Sequence, residues 1–428
     1  MRRVAVGLVG WGTVGGGVVD ILARESALFR ERCGLDLWLK TIVTRDPSRT
    51  REQATNATVT TDIRAILDDP EIPVVIHLVG GTTAAKDLLV ACLKAGKQVV
   101  TANKALIAEH GDELFALAAQ HSVGIAFEAA VAGGIPVIAA LRDGLVANRI
   151  ESISGILNGT CNFILTKMEA EGWGYTEALA EAQRLGYAEA DPTLDVDGTD
   201  TAHKLAILAR IAWGGRIPLS SITVEGIQSL SATDIASART MGARIKLLAV
   251  ARGRPEGVEL RVAPTLVPLD HPLASVMKNA NGIALQSSAA GPTLLTGLGA
   301  GALPTASAVL ADVVDVASGR YQATVGHYGF FTGEQPIQLL PEAQEVTACY
   351  ARFAVADRPG VLAGIASELS RAGASIQSIY QGGETINGTA TIEVVTHPLR
   401  LGAFRQVVAD IDAGGLTIAP TRVLRKLS

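Results

Sequence analysis

Residues 3–9, Arg-Val-Ala-Val-Gly-Leu-Val, form an apolar run of strand type that leads straight into Gly10-Trp-Gly12-Thr-Val-Gly15, and Val18, Val19, Ile21 and Leu22 then recur at helical spacing. Strand, G-x-G-x-x-G and helix in that order is the pattern of a dinucleotide-binding turn, and it constrains the chain more than any other feature. Gly10 permits the tight turn, Gly12 lets backbone approach a pyrophosphate, and Gly15 lets helix and strand pack closely. The helix N-terminus adds unpaired N–H donors and a partial positive charge. Thr13 and Val14, between the second and third glycines, complete the candidate cofactor loop.

The first third continues as alternating strand and helix. Leu37 to Val43, Val74 to Val79, Gln98 to Thr101 and Val123 to Phe127 read as strands, and Leu88 to Lys94 as a helix. That alternation predicts a Rossmann-type, doubly wound parallel sheet over residues 1–135, with ligands at the carboxyl ends of its strands. Gly80-Gly81 and Thr101-Ala-Asn-Lys104 fall at such ends, while His77, inside a strand, reads as a core histidine. The second strand ends in Val43-Thr44-Arg45-Asp46, with Arg49 and Arg51 beyond. An arginine there suits the 2′-phosphate of NADP, whereas Asp46 turned inward would hold the ribose of NAD. Arg45 favours NADP, with NAD the alternative.

With 428 residues, 48% hydrophobic and 18% charged, the chain is long enough for two or three cores. A net charge of −5 gives no electrostatic reason to bind nucleic acid. The four cysteines, Cys33, Cys92, Cys161 and Cys349, are far apart and in no metal-ligand spacing, which points to a reducing compartment. Met1-Arg-Arg before an apolar run superficially resembles a secretion signal, but the glycine fingerprint interrupts the run. The expected setting is cytoplasmic, with no membrane partner.

A second domain is expected over residues 136–327, an α+β unit that closes over the nicotinamide. Pro136 suits a first helical position, and Ile150 to Ile156 is strand-like. Between Leu185 and Lys204 the chain carries five carboxylates, Glu189, Asp191, Asp195, Asp197 and Asp200, and ends in a lysine. If Thr201 to Arg210 is helical, as Leu205, Ile207, Leu208 and Ile211 suggest, Asp200 and Lys204 at i and i+4 share one face. The same spacing also describes an ordinary helix ion pair worth ~0.3–0.5 kcal/mol.

Taken together, the glycine fingerprint, Thr101-Ala-Asn-Lys104, Phe127-Glu-Ala-Ala-Val-Ala-Gly-Gly-Ile-Pro136, Gly155-Ile-Leu-Asn-Gly-Thr160, Leu185 to Pro192, Asp195 to Lys204 and Gly299-Ala-Gly-Ala-Leu-Pro304 resemble homoserine dehydrogenase over nearly the whole chain. The resemblance implies reversible hydride transfer between L-homoserine and L-aspartate 4-semialdehyde, a step towards threonine and methionine. It implies that Lys204 is the acid/base lysine and Lys104 a second site lysine that polarises the carbonyl and lowers the first lysine's pKa by like-charge proximity. Glu189 then accepts the substrate ammonium, Asp200 binds and orients substrate, and Asp195 supports them, with Asp191 and Asp197 as loop charges. Glu128 with the carbonyls of Val131, Gly133 and Ile135 resembles a monovalent cation site, for sodium, although Glu128 equally suits a helix cap. Gly186 and Gly301 resemble positions where backbone meets the cofactor, and equally suit turns.

The last eighty residues read as a separate unit, 347–428, after a linker at 328–346. Tyr350 to Val355, Ala363 to Arg371, Ile376 to Tyr380, Thr389 to Thr396, Leu401 to Ile411 and Arg422 to Leu424 give strand-helix-strand-strand-helix-strand, the ferredoxin-like order. With Asp357-Arg-Pro-Gly-Val-Leu362 at its first turn, the unit resembles an ACT domain, a module that pairs with its own copy and binds amino acids; threonine is the effector implied, and dimerisation alone the alternative. A homodimer or homotetramer is expected. No kinase-like segment precedes Met1, so the stand-alone enzyme form is expected. Three rivals are weighed: aspartate-semialdehyde dehydrogenase with Cys161 as nucleophile, an amino-acid sensor without catalysis, and a structural oligomerisation protein. No basic residue lies near Cys161 before Lys167, and the last two leave the lysine–carboxylate set unexplained.

Overall fold

The structure is a computed structural model that describes residues 1–48, 55–321, 336–382 and 388–427; Arg49, Arg51 and the linker residues 328–335 lie outside the described residues. Buried residues of β1 (Arg2–Val9) lead into α1 (Thr13–Cys33), and β2 (Leu35–Val43) returns beside β1. The unit goes on through β3 (Thr58–Thr60), the single turn α2 (Arg64–Leu67), β4 (Val74–His77), α3 (Ala84–Lys94), β5 (Gln98–Thr101), α4 (Lys104–Gln120) and β6 (Ile125–Ala126). All neighbouring strands are parallel, in the order β3-β2-β1-β4-β5-β6. The order reverses between β1 and β4, which opens a crevice at their carboxyl ends. His77 is buried there beside Thr101 Oγ1, at 3.4 Å, and burial takes its imidazole down to about 4, so it stays neutral.

Beyond β6 the helix expected at Pro136 is a single turn, α5 (Val137–Ala139), which widens into a π turn at Ala140–Gly144. The second unit follows with β7 (Ile150–Ile156), α6 (Gly159–Glu171), α7 (Tyr175–Arg184), α8 (Thr193–Val196), α9 (Thr199–Trp213), β8 (Thr223–Val224), α10 (Ala232–Thr240) and the long hairpin β9 (Ala243–Arg254) and β10 (Gly257–Pro268). Next come β11 (Ala280–Ser287), β12 (Gly291–Leu298) and α11 (Ala302–Ser318). By packing, α11 sits with the first unit: Ala306, Val309, Leu310 and Val313 share a core with Val4, Val6, Leu8 and Val18. Gly17 permits this crossing, since a Cβ on it would stand 2.5 Å from the Ala302 carbonyl oxygen.

The C-terminal unit has the predicted order: β13 (Val346–Ala356), α12 (Val361–Arg371), β14 (Ile376–Gln381), β15 (Thr389–Thr396), the short β16 (Leu399–Arg400), α13 (Leu401–Ala413) and β17 (Arg422–Lys426). It is not a loosely tethered bead. Strand β17 pairs in parallel with β10 through Thr265–Arg425 and Leu266–Lys426, so one eleven-stranded sheet spans both units: nine strands run β12-β11-β7-β9-β10-β17-β13-β15-β14, with β8 also on β10 and β16 on β13. A buried ion network reinforces the seam, with Arg261 2.5 Å and Arg425 3.1 Å from Glu345, and Arg425 also on Glu342. Among the described residues no helix is long and apolar enough to cross a membrane.

Candidate active site

At the end of β5, Asn103 caps α4: its Oδ1 accepts from the Leu106 N–H (3.0 Å), and its Nδ2 donates to the carbonyls of Val79 (2.9 Å) and Gly81 (2.7 Å). The loops after β4 and β5 are thereby tied together, and Lys104 stands at the first position of α4. A second asparagine does the same beyond β7. Asn158 Oδ1 accepts from the Cys161 N–H at 2.8 Å to start α6, and its Nδ2 donates to Asp195 Oδ1 at 2.8 Å and Asp200 Oδ2 at 3.0 Å. Gly198, at φ +92°, turns the chain from α8 into α9 and places Asp200 in its first turn.

These pieces converge on the Asp200 carboxylate. Its Oδ1 lies 2.8 Å from Lys104 Nζ, and its Oδ2 lies 2.7 Å from Lys204 Nζ. Lys204 also donates to the Leu157 carbonyl at 2.7 Å, which leaves one of its three ammonium protons for another acceptor. Burial alone would raise the Asp200 carboxyl, but the charges and hydrogen bonds of Lys204 and Lys104 win and hold it well below the usual carboxylate range. Burial pulls the Lys104 ammonium down, and the attraction of Asp200 outweighs it, leaving Lys104 above its ordinary value. The neighbouring Asp195 is pushed up, by burial first and the Asp200 charge next, against its Asn158 hydrogen bond. Spacing offered the i, i+4 pair alone; the third member, Lys104, which only the family resemblance names as a site lysine, arrives from the other unit. Asn158 and Asn103 carried a readable signal, an Asn directly before a helix.

The remaining candidates are placed as follows. Glu189 sits on an exposed loop, where its backbone carbonyl accepts from Gln183 Nε2 at 3.1 Å, and no hydrogen bond joins it to the Asp200 cluster. Thr160 Oγ1 ties that loop to α6 through the Tyr187 carbonyl at 2.7 Å. Asp191 and Asp197 build turns, accepting from the N–H groups of Thr193 and Thr199. Gly186, at φ +74°, ends α7, and Gly301, at φ +116°, opens α11. Cys161 is buried, with its Sγ donating to the Asp195 carbonyl at 3.2 Å. Burial, then Asp195 and Asp200, push the thiol well up, the opposite of what a thioester-forming nucleophile needs.

The glycine loop is shaped for a phosphate-bearing group. A Cβ on Gly10, at φ +101°, would strike the Leu78 carbonyl oxygen at 2.6 Å, whereas one on Gly12 would meet nothing within 4 Å. Gly12 is the N-cap of α1, and Thr13 and Val14 begin the helix. At the end of β2, Asp46 Oδ1 accepts from the Ser48 N–H and hydroxyl at 3.0 and 2.6 Å, and Arg45 is exposed.

Glu128 lies in a different environment. Its Oε1 accepts from the Ile138 N–H at 2.9 Å and its Oε2 from the Ala139 N–H at 2.7 Å, so the carboxylate caps the turn after Pro136. Its own N–H donates to Asp312 Oδ2 at 2.8 Å. Burial lifts the Glu128 carboxyl to about 7, with Asp315 adding to the rise, against the two amides and Arg142. Ala132 and Gly133, at φ +57° and +50°, form the turn that carries the carbonyls of Val131, Gly133 and Ile135. Glu128, Asp312 and Asp315 outnumber the guanidiniums beside them, Arg142 and Arg320, so a hard cation on carboxylate and carbonyl oxygens would favour the ionised forms that burial disfavours.

Comparison with known proteins agrees across the chain. Residues 136–314 match the homoserine dehydrogenase family model, 10–128 the NAD-binding domain of homoserine dehydrogenase, and 350–413 the ACT domain. The homoserine dehydrogenase of Pseudomonas aeruginosa is 45% identical over 421 residues, 96% of each chain, and that of Neisseria gonorrhoeae 40% identical over 99% of each. A homoserine dehydrogenase crystal structure from Thiobacillus denitrificans superimposes with a TM-score of 0.93 at 41% identity, covering 100% of this chain and 99% of that one. A hyperthermophilic archaeal homoserine dehydrogenase mutant in complex with NADPH matches 74% of this chain and 98% of its own at 27% identity, TM-score 0.62.

Proposed function

The chain belongs to the homoserine dehydrogenase family, nicotinamide-dependent oxidoreductases, and from that premise we propose that Asp200 holds Lys204 and Lys104 as a single proton-handling and polarising unit for the C4 oxygen of homoserine. The one observation that carries this reading is the carboxylate shared between the two ammonium groups. A nicotinamide bound in the crevice accepts or supplies the hydride. As aspartate 4-semialdehyde is reduced, Lys204 delivers its free proton to the forming alkoxide; in homoserine oxidation the same nitrogen takes the hydroxyl proton. Lys104, fixed at the head of α4, places positive charge where negative charge develops on that oxygen. Glu189 takes the substrate ammonium, with Asp195 as a supporting carboxylate held by Asn158. The backbone at Gly10, Gly12, Thr13, Val14 and Gly15, with Gly186 and Gly301 at its flanks, lines the cofactor.

The finer assignments rest on particular residues. Asp46 is engaged with Ser48 while Arg45 stands exposed at the end of β2, which supports NADP over NAD. Glu128 and the carbonyls of Val131, Gly133 and Ile135 take a sodium ion, whose charge offsets the Glu128–Asp312–Asp315 surplus. The C-terminal module takes threonine: a cavity of about 370 Å³ includes Asp357, Arg358, Gly360 and Gln381, and its two opposite charges suit a zwitterion. The enzyme works in the cytoplasm towards threonine and methionine as a homodimer or homotetramer. Exposed Leu294 and Leu298 on the edge strand β12 support self-association. Domains are assigned as 1–135, 136–327 with α11 packed back on the first, a linker at 328–346 and the module at 347–428. Initial rates of homoserine oxidation with NADP and NAD in parallel, with and without threonine, test this reading: faster turnover with NADP and inhibition by threonine are expected. Absence of turnover with either nucleotide refutes it.

A further inference from the structure

Helix α4 comes from the parallel-sheet unit and α9 from the catalytic unit, yet the two lie side by side, with Leu106, Ile107, Leu114, Leu205 and Leu208 in one core. Two ionic rungs join them, with a histidine beside a carboxylate between. At the site end Lys104 meets Asp200 at 2.8 Å; in the middle His203 Nε2 lies 3.8 Å from Glu109 Oε1; at the far end Arg210 pairs with Asp112. At about 1.5 Å of rise per residue, Lys104 to Asp112 spans ~12 Å and Asp200 to Arg210 ~15 Å. The longer span is taken up because helix side chains lean towards the N-terminus, so Arg210 reaches back towards the site. Both helices therefore leave the site in the same direction, joined by ion pairs at the start and middle of α4 and near the two ends of α9.

The far rung is unsymmetrical. Arg210 is 3% exposed within the apolar face of α9, and Asp112 is 43% exposed on α4, where Arg216 Nε also lies 3.5 Å from its other oxygen. Burying a guanidinium against an apolar seam is unfavourable unless it is paired, and a buried pair that adds little net stability can still fix which arrangement forms. Here the arrangement is the axial register of α4 on α9. A slip along that seam would carry Lys104 away from the carboxylate that also holds Lys204.

We propose that Arg210, acting through Asp112, is a positioning residue that sets the distance between the two active-site lysines by fixing the register of α4 against α9. This rests on the reading of Lys104 and Lys204 given above. The test is a set of full-length variants, Arg210→Met, Asp112→Asn, the two combined, and Arg210→Lys, with kcat, KM for homoserine and for NADP, and thermal midpoints all measured. Assays are run well below the lowest midpoint. Each single change should lower kcat about tenfold or more, since displacements near 1 Å at a reacting centre reach ~100-fold, while KM for NADP stays put. The double variant should be no slower than the slower single one, because one pair is broken either way. Arg210→Lys should recover part of the loss. Wild-type kcat in every variant, or losses that multiply in the double variant, would overturn the proposal whatever the midpoints do. If Arg210→Met does not fold, the half-exposed Asp112→Asn decides alone. Lys104→Ala separates the two levels: wild-type kcat there refutes the lysine assignment itself, whereas a large loss there beside wild-type kcat in Asp112→Asn refutes only the register claim.

Discussion

Asp200 and Glu128 are both buried carboxylates, 6% and 5% exposed, and their surroundings push them in opposite directions. Around Asp200 two ammonium groups and an amide close on one carboxylate, so attraction beats desolvation and the group stays ionised. Around Glu128 the donors are two backbone amides, the nearest acids are Asp312 and Asp315, and the two guanidiniums of the cluster, Arg142 and the exposed Arg320, both pair with Asp315 and not with Glu128, so desolvation wins. Burial also pushes Asp312 well up, with the Glu128 charge next. Equal burial thus gives a charged carboxylate shared by two lysines in one place and a near-neutral, proton- or cation-hungry cap in the other. The difference lies in the sign of the neighbours.

Removing the cation side of the first cluster should have the largest effect. Lys204→Ala is expected to lower kcat by ~10²–10⁴ with nucleotide affinity unchanged, measured by initial rates and by nucleotide fluorescence titration. An equal loss of nucleotide binding would instead make Lys204 a structural residue. Asp200→Asn keeps the shape but leaves two lysines without their shared charge, and kcat should fall about 100-fold as both lose their fixed positions. If its turnover matched wild type, the two clusters would no longer differ in function.

The Glu128 cluster should respond to pH rather than to turnover. Its folded value, about 7, lies above the ordinary 4.5, so its contribution to stability is full below pH 4.5 and is lost as pH rises through about 7. Asp200 has the reverse sign: its contribution is present above 3.8 and fades only as pH falls through its depressed folded value. Thermal midpoints should therefore decline between about pH 5 and 8, and Glu128→Gln should flatten part of that decline, Asp312 supplying the rest. Sodium chloride in place of choline chloride should restore the midpoint near the upper end in the wild type and not in Glu128→Gln. A decline that Glu128→Gln leaves untouched would show that the two carboxylates are alike after all. The smallest effect belongs to Cys161→Ala, expected to change kcat less than about threefold because a buried, protonated thiol takes no part in the chemistry. A collapse of activity there would revive the thioester route.

What could be read from the sequence was local. The strand–glycine–helix start, the i, i+4 spacing of Asp200 and Lys204, and the strand–helix order of the last eighty residues each depend on neighbours within one or two turns, and each is present in the fold. The features that local pattern hid all join distant residues, and of them only Lys104 is named from sequence, through the family resemblance. Lys104 reaches Asp200 across 96 positions, α11 returns to α1 at Gly17, and β17 extends the catalytic sheet through β10. The dual cap by Glu128 was legible as one of two readings, since an acid near a helix start is ambiguous until both oxygens are seen to be engaged. The close helix–strand approach expected at Gly15 is present, since a Cβ there would strike the Gly10 carbonyl oxygen at 2.4 Å and meet Leu8 of β1 at 3.7 Å, whereas no sequence signal marked Gly17 as the glycine that admits a second helix.

The most direct test is a crystal structure of the complex with homoserine and an oxidised nicotinamide. The account predicts Lys204 Nζ within hydrogen-bond reach of the homoserine hydroxyl, ~2.6–3.2 Å or through one water, with Asp200 still between the two lysines. A complex in which that amine turns away from the hydroxyl, with no water or rotamer to connect them, would contradict it.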